Sequence, residues 1–85
     1  MMNNEKLLEK LIEAFLDRRN KKEMRDFLNG ILTPKELDEI AVRLEIVKKL
    51  KSGYRQQSIA QELGTGVATV TRGSRELRKG RFRYI

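Results

Sequence analysis

Residues 56–72 read Gln-Gln-Ser-Ile-Ala-Gln-Glu-Leu-Gly-Thr-Gly-Val-Ala-Thr-Val-Thr-Arg and carry most of the information about the fold. Their spacing predicts two short helices, at about residues 56–63 and 66–79, that cross steeply around a tight turn. Ala60 is small enough for the two backbones to approach closely, and Gly64 allows a positive φ in the turn. A small shared core is expected from Ile59, Leu63 and Val70. The pattern predicts a helix-turn-helix, and an ordinary helical hairpin with a glycine turn is the alternative.

Helical spacing continues upstream of this stretch. Apolar residues predict an amphipathic helix over about residues 4–17 and a shorter helix that ends at Gly30. Their inward-facing residues, expected in the core or in a dimer interface, include Leu7, Leu11, Phe15, Phe27 and Leu28.

A central helix is predicted to begin at Thr33-Pro34-Lys35-Glu36. Thr33 can cap it, Pro34 fits its first position, and Glu36 can close a capping box. It ends at Gly53, as the last helix ends at Gly80. The residues expected on its inner face are Leu37, Ile40, Ala41, Leu44, Val47 and Leu50.

The 85 residues therefore predict one all-α domain of five to six short helices. The expected parts are N-terminal dimerisation helices (1–31), the central helix (32–53) and the helix-turn-helix (54–80). A domain of this size buries a thin core, which favours a homodimer. Cysteine and histidine are absent, so disulfides, the usual zinc ligands and Ser–His or Cys–His catalytic pairs are excluded. With no apolar run long enough to span a membrane and no signal-peptide pattern, a cytoplasmic protein without a membrane or metal partner is expected.

The net charge of +7 is concentrated near the end of the chain. Residues 54–85 carry seven basic and two acidic side chains, whereas residues 1–34 and 35–53 each carry a net charge of +1. A basic patch attracts polyanions by releasing condensed counterions, which indicates double-stranded DNA as partner. A basic surface without a partner, or an anionic membrane surface, would be alternatives on charge alone.

Three motifs together closely resemble the Trp repressor superfamily. They are Leu32-Thr33-Pro34, Arg43, and the run from Glu62 to Ser74, which reads Glu-Leu-Gly-Thr-Gly-Val-Ala-Thr-Val-Thr-Arg-Gly-Ser. The match covers about residues 32–79, and its last run is the most specific part. The resemblance implies an intertwined, all-helical homodimer that represses transcription by binding palindromic operators in the major groove.

The resemblance also implies two sets of site residues. The residues implied at or near DNA are Arg55, Gln57, Val67, Ala68, Thr69 and Thr71. Basic side chains near the end of the last helix add expected phosphate contacts at Arg75, Arg78 and Lys79. The residues matching the corepressor pocket are Thr33, Arg43, Thr69, Arg72 and Gly73, together with Glu76 in place of a family serine. Arg43 and Arg72 match the arginines that sandwich an indole, so L-tryptophan or a similar aromatic amino acid is the implied corepressor.

The chain departs from the family pattern at three places. Its segment from Gly53 to Gly64 is one residue shorter, which affects the register at Arg55 and Gln57. Glu76 could either hold a ligand's ammonium group or pair with Arg72, four residues earlier, and fill the pocket with a salt bridge. The long helix that normally follows the recognition helix has no counterpart before Ile85.

Some of these residues also have simpler interpretations. Glycine inside a helix costs roughly 0.5–1 kcal/mol relative to alanine, so Gly73 indicates close approach by a ligand, by DNA or by a neighbouring helix. Arg43 could pair with Glu39, one turn away. The acidic cluster Glu36, Asp38 and Glu39 is typical of a helix start, so catalysis there is not expected.

The leading hypothesis is thus a dimeric repressor. Two alternatives are a helix-turn-helix module of a transposition or replication system, and a protein-interaction module without effector control. The first alternative is disfavoured because the chain has neither room for a catalytic domain nor a Gly-rich phosphate loop. An enzyme is the least expected class.

Overall fold

The computed structural model describes residues 3–85, and this part of the chain forms five α-helices and no strand. The helices are α1 (Asn4–Leu16), α2 (Lys21–Ile31), α3 (Pro34–Lys51), α4 (Gln56–Leu63) and α5 (Val67–Arg78). The predicted all-α fold is confirmed. Residues 1 and 2, which belong to the predicted 1–31 segment, lie outside the described residues. The chain divides into two compact units, residues 3–37 and Asp38–Ile85.

The first three helices begin with side-chain caps. Asn3 accepts a hydrogen bond from the backbone N–H of Lys6, and Asn20 accepts one from that of Glu23, each at 2.9 Å. At α3 the backbone N–H of Glu36 donates to Thr33 Oγ1 at 3.2 Å, and that of Thr33 donates to Glu36 Oε1 at 2.9 Å. The predicted capping box is confirmed. The hydrogen bond from the Thr33 backbone, followed by one from the Thr33 side chain, lowers the pKa of the Glu36 carboxyl below its ordinary value of 4.5.

The prediction that Gly30 ends α2 is wrong. The helix continues through Ile31, and Gly30 does not adopt a positive φ. The chain leaves the helix at Leu32, whose backbone is extended with φ −113° and ψ 145°. Pro34 disfavours a helical conformation at the preceding residue, Thr33. The residues that begin α3 therefore also prevent α2 from continuing.

Residues 3–37 contain no buried side chain. The rings of Phe15 and Phe27 meet edge to face with centroids 5.1 Å apart, and the Arg18 guanidinium lies 5.4 Å from the centre of the Phe27 ring. Apolar residues of α1 nevertheless remain exposed: Leu7, Leu8, Leu11, Ile12 and Leu16. The first unit therefore has an apolar stripe without a core of its own.

The second unit has a small core shared by α3, α4 and α5. Ile46, Ile59 and Val70 are wholly buried with the small Ala60, and Val42, Leu50 and Leu63 pack around them. The predicted shared core of Ile59, Leu63 and Val70 is thus confirmed, but its largest contribution from α3, Ile46, was missed.

The inner face predicted for α3 is partly wrong. Val47 is wholly buried, but Ile40 and Leu44 are 44% and 38% exposed, and Ala41 is exposed. The helix carries apolar residues on two sides, so periodicity alone did not show which side faces α4 and α5.

Gly73 lies on the side of α5 that packs against side chains of α3. A Cβ added to Gly73 would stand 3.1 Å from Ile46 Cγ2 and 3.5 Å from Leu50 Cδ1. Of the interpretations left open by the sequence, tight packing against a neighbouring helix accounts for this glycine.

We expect Gly73→Ala to destabilise the protein by about 1 kcal/mol, although alanine favours helices by a similar amount. Ile46 is β-branched and wholly buried, so it cannot move aside at low cost. Gly30→Ala is the matched control, because Gly30 is also helical but has nothing within 4 Å of an added Cβ. Urea denaturation at fixed protein concentration should give changes of opposite sign. Stabilisation by both changes would contradict the packing argument.

The capping box should make stability depend on pH. Because the folded-state pKa of Glu36 is lowered, its contribution is full above the ordinary value of 4.5 and is lost as the pH falls through the lowered value. Between about pH 5 and about pH 3, wild-type protein should therefore lose more free energy of unfolding than Glu36→Gln. Glu9→Gln, at an exposed position of α1, controls for the loss of one charge and should follow the wild type. Parallel curves for wild type and Glu36→Gln would contradict this expectation.

Candidate nucleic-acid interface and ligand groove

Helices α4 and α5 are joined by the tight turn of residues 64–66. Gly64 has φ 65° and ψ 32°, and the backbone N–H of Thr65 donates to the carbonyl of Ala60 at 3.0 Å. A Cβ at Gly64 would meet nothing within 4 Å, so glycine is favoured here by the backbone conformation alone. The predicted helix-turn-helix and the role of Gly64 are confirmed.

Lys49, on α3, connects this helix to α4 through a salt bridge. Its Nζ lies 2.9 Å from Glu62 Oε1, 3.9 Å from Glu45 Oε1 and 4.9 Å from the centre of the Tyr54 ring. The hydrogen bond to Glu62 raises the pKa of Lys49 above its ordinary value of 10.5. This cation therefore stays charged and helps to fix the helix-turn-helix on the central helix.

A second polar contact fixes α5 on α4. Thr71 Oγ1 donates to Gln56 Oε1 at 2.8 Å, and Thr71 is half-buried. Thr71 was predicted to face DNA, and that contact stays a prediction. Its hydroxyl already has a role in orienting the two helices.

The other residues predicted at DNA are exposed. They are Arg55, Gln57, Val67, Ala68, Thr69, Arg75, Arg78 and Lys79. Helices α4 and α5 also begin differently from α1, α2 and α3, because neither has a side-chain cap or an acidic residue in its first turn. Their first N–H groups and the positive ends of their dipoles can therefore attract phosphate groups.

A groove of about 970 Å³ runs along another side of α5. It extends from the α4–α5 turn to residues that follow α5. Its lining comprises Asp38, Glu39, Val42, Arg43, Leu63, Gly64, Thr65, Ala68, Thr69, Arg72, Gly73, Glu76, Arg81 and Phe82. Five of the six predicted ligand residues are thus brought together. The sixth, Thr33, belongs to the first unit and caps α3, so its ligand contact stays a prediction.

Comparison with known proteins now defines the family. A family model described as Trp repressor protein matches residues 6–84. The chain belongs to the Trp repressor family. The resemblance seen in the sequence is confirmed.

Individual relatives in the Trp repressor family match over a shorter stretch. A Trp operon repressor homolog from Photobacterium profundum is 46% identical over 52 residues, which cover 60% of this chain and 50% of that protein. The homolog from Actinobacillus succinogenes is 44% identical over 55 residues, or 64% of this chain and 54% of that protein. The chain spans about half the length of these curated relatives.

Glu76, which replaces a serine of the family pattern, does not pair with Arg72. Its carboxylate lies 3.5 Å from Lys79 Nζ and 3.7 Å from Arg81 Nε. The salt bridge predicted as one way of filling the pocket is therefore wrong. The turn after Gly80 explains the difference, because it brings Arg81 back to α5, where its backbone N–H donates to the Glu76 carbonyl at 3.1 Å.

The guanidinium groups of Arg43 and Arg72 form no salt bridge with another side chain of residues 3–85. The alternative pairing of Arg43 with Glu39 is therefore wrong as well. Both residues line the groove, and a planar guanidinium can stack on an aromatic ring or bind a carboxylate.

Sequence reasoning missed several groove residues. Glu39 and Val42 lie beside Arg43 on α3, so helical spacing from Arg43 could have identified them. Arg81 and Phe82 follow the last helix in a segment without periodicity, and no pattern pointed to them. Asp38 and Glu39 add carboxylates that could accept hydrogen bonds from an ammonium group.

Among residues 3–85, no cluster of acidic side chains could hold a metal ion. None of the five helices combines the length and apolar character that crossing a bilayer requires.

Proposed function

We propose that this protein is a sequence-specific DNA-binding transcriptional repressor that acts as a homodimer on palindromic operators. The observation that carries the proposal is the helix-turn-helix, whose second helix has one side buried and the opposite side exposed and basic. The names of the relatives and the net charge of +5 over residues 54–85 support it.

The exposed side of α5 suits the major groove. Ala68, Arg75 and Lys79 are spaced by seven and four residues, so they lie along one line of the helix. Val70 and Gly73 face away from that line and are buried. Residues near the start of α5 read bases in this arrangement, whereas Arg78 and Lys79 near its end bind phosphates.

A second copy of the chain is the proposed cover for the apolar residues that a single copy leaves exposed. The first unit has no buried side chain, and α3 exposes Ile40 and Leu44. Apolar stripes of this length are typical of interfaces between helices rather than of solvated surfaces. Dimerisation also sets the spacing of two recognition helices on a palindromic operator.

An aromatic amino acid such as L-tryptophan is the proposed corepressor. The ring would stack on Arg43 and Arg72, and Arg72 could also bind the carboxylate. Asp38 or Glu39 could receive the ammonium group. Binding beside Thr69 and Arg72 would act on the helix that reads DNA.

The DNA-binding role can be tested on a duplex that the wild-type protein selects from a random library. The affinity for this duplex is then measured for one variant at a phosphate contact and one variant at a base contact. Lys79→Ala should weaken binding to the selected duplex and to unrelated DNA by the same factor. It should also reduce the slope of log K against log salt by about 0.9, because one phosphate contact is lost. Val67→Thr should change the preferred sequence and leave the salt slope unchanged.

Arg19→Ala is the charge-matched control for the DNA measurement, since Arg19 is an exposed arginine of the first unit. It should leave affinity and slope close to those of the wild type. If Lys79→Ala and Val67→Thr have the same effect, the division between phosphate contacts and base contacts fails. If the wild type selects no sequence, the repressor proposal fails.

Dimerisation can be tested by sedimentation equilibrium at micromolar concentration, where the mass should be twice the chain mass of 10.0 kDa. Leu8→Glu places a charge on the exposed stripe of α1 and should shift the protein towards monomer. Glu9→Gln, the neighbouring position, should remain dimeric. A wild-type protein that is wholly monomeric under these conditions would rule out the proposed assembly.

A further inference from the structure

The segment that follows α5 holds an unfavourable backbone conformation. Phe82 has a φ of 60°, and it is the only non-glycine residue among residues 3–85 with a positive φ. For a residue with a bulky side chain this conformation costs roughly 1–2 kcal/mol, so other contacts must stabilise it.

Two residues of neighbouring helices, Lys51 and Glu76, hold the segment in place. Lys51 Nζ, at the end of α3, donates to the main-chain oxygens of Phe82 and Ile85, each at 2.6 Å. On the side of α5, Glu76 binds Arg81 through the ion pair and through the hydrogen bond from the Arg81 backbone. We define residues 80–85 as the strap.

Two side chains of the strap, those of Arg81 and Phe82, lie at the ligand groove. Phe82 is half-buried and supplies the only aromatic ring in the groove lining, and Arg81 lines the groove beside it. The same Arg81 occupies the Glu76 carboxylate, which a ligand's ammonium group could otherwise approach. Phe82 and Arg81 therefore form part of the groove wall, and Arg81 pairs there with the Glu76 carboxylate.

We propose that the strap is a built-in competitor of the small-molecule ligand, with Phe82 in the groove when no ligand is bound and displaced when an aromatic amino acid binds. This inference rests on the ligand-binding part of the proposed function. The backbone strain at Phe82 lowers the cost of displacement, because it is relieved when the strap leaves. The apparent dissociation constant of the ligand is then the intrinsic constant divided by the fraction of molecules in which the strap is open.

The test is calorimetric titration of L-tryptophan into the full chain and three variants. Phe82→Ala removes the competing ring, and Lys51→Met releases the strap by a change outside the groove lining. Each should tighten tryptophan binding by about tenfold if the strap is closed in roughly nine molecules of ten. Tyr84→Ala is the control, since Tyr84 is an aromatic residue of the same strap but 93% exposed, and it should bind as the wild type does. Weaker or unchanged binding by Phe82→Ala and Lys51→Met would overturn the proposal.

Amide hydrogen exchange gives a second readout that does not depend on affinity. The N–H groups of Arg81 and Ile85 donate within the folded strap, to Glu76 and to Phe82. Saturating tryptophan should accelerate exchange at both sites if the ligand displaces the strap. Slower exchange would show that the strap closes over the ligand, which contradicts competition.

Operator binding by the same four proteins separates this proposal from the proposed function. If all of them bind the selected DNA but none binds tryptophan at millimolar concentration, the strap proposal and the corepressor assignment fail while the repressor stands. If none binds DNA but Phe82→Ala and Lys51→Met tighten tryptophan binding, the repressor fails and the strap proposal stands.

Discussion

The contact of Ile46 with Gly73 is the constraint on which the second unit depends. Ile46 is wholly buried among residues of α4 and α5, and its Cγ2 would stand 3.1 Å from any Cβ at position 73. Burial of such a side chain contributes about 1.5–3 kcal/mol, a large share for so small a core. Because Gly73 lets α5 pack on Ile46, the exposed side of α5 and the groove beside it are positioned relative to α3.

Polar groups are paired within the chain to different extents in different helices. In helices α1, α2 and α3 one N–H group of the first turn donates to the side chain of the residue before the helix, whereas α4 and α5 have no such cap. Lys49 is neutralised by Glu62, and Glu76 by Lys79 and Arg81. Arg43 and Arg72, which form no salt bridge with another side chain of residues 3–85, lie at the groove. The proposed binding surfaces are built from groups that the fold itself leaves unsatisfied.

Three sides of α5 have three different surroundings. One side packs on Ile46, a second is exposed and basic, and a third lines the groove. Ala68 and Thr69 belong both to the groove lining and to the set predicted at DNA. Under the proposed function, a ligand in the groove and a base in the major groove of DNA would therefore contact the same turn of one short helix. Coupling between the two sites would require no long path through the protein.

The sequence by itself determined the helices, the Gly64 turn, the capping box at Thr33 and the family, because each depends on residues close together in the chain. It also determined that Arg43, Thr69, Arg72 and Gly73 would meet, but only through resemblance to a family. The tertiary structure decided which side of α3 is buried, because apolar residues on two sides leave helical periodicity without a unique answer. Only the tertiary structure showed that Phe82 lies at the groove and that Glu76 pairs with Arg81. These contacts depend on how the chain turns after Gly80 and on Lys51, which lies more than thirty residues earlier.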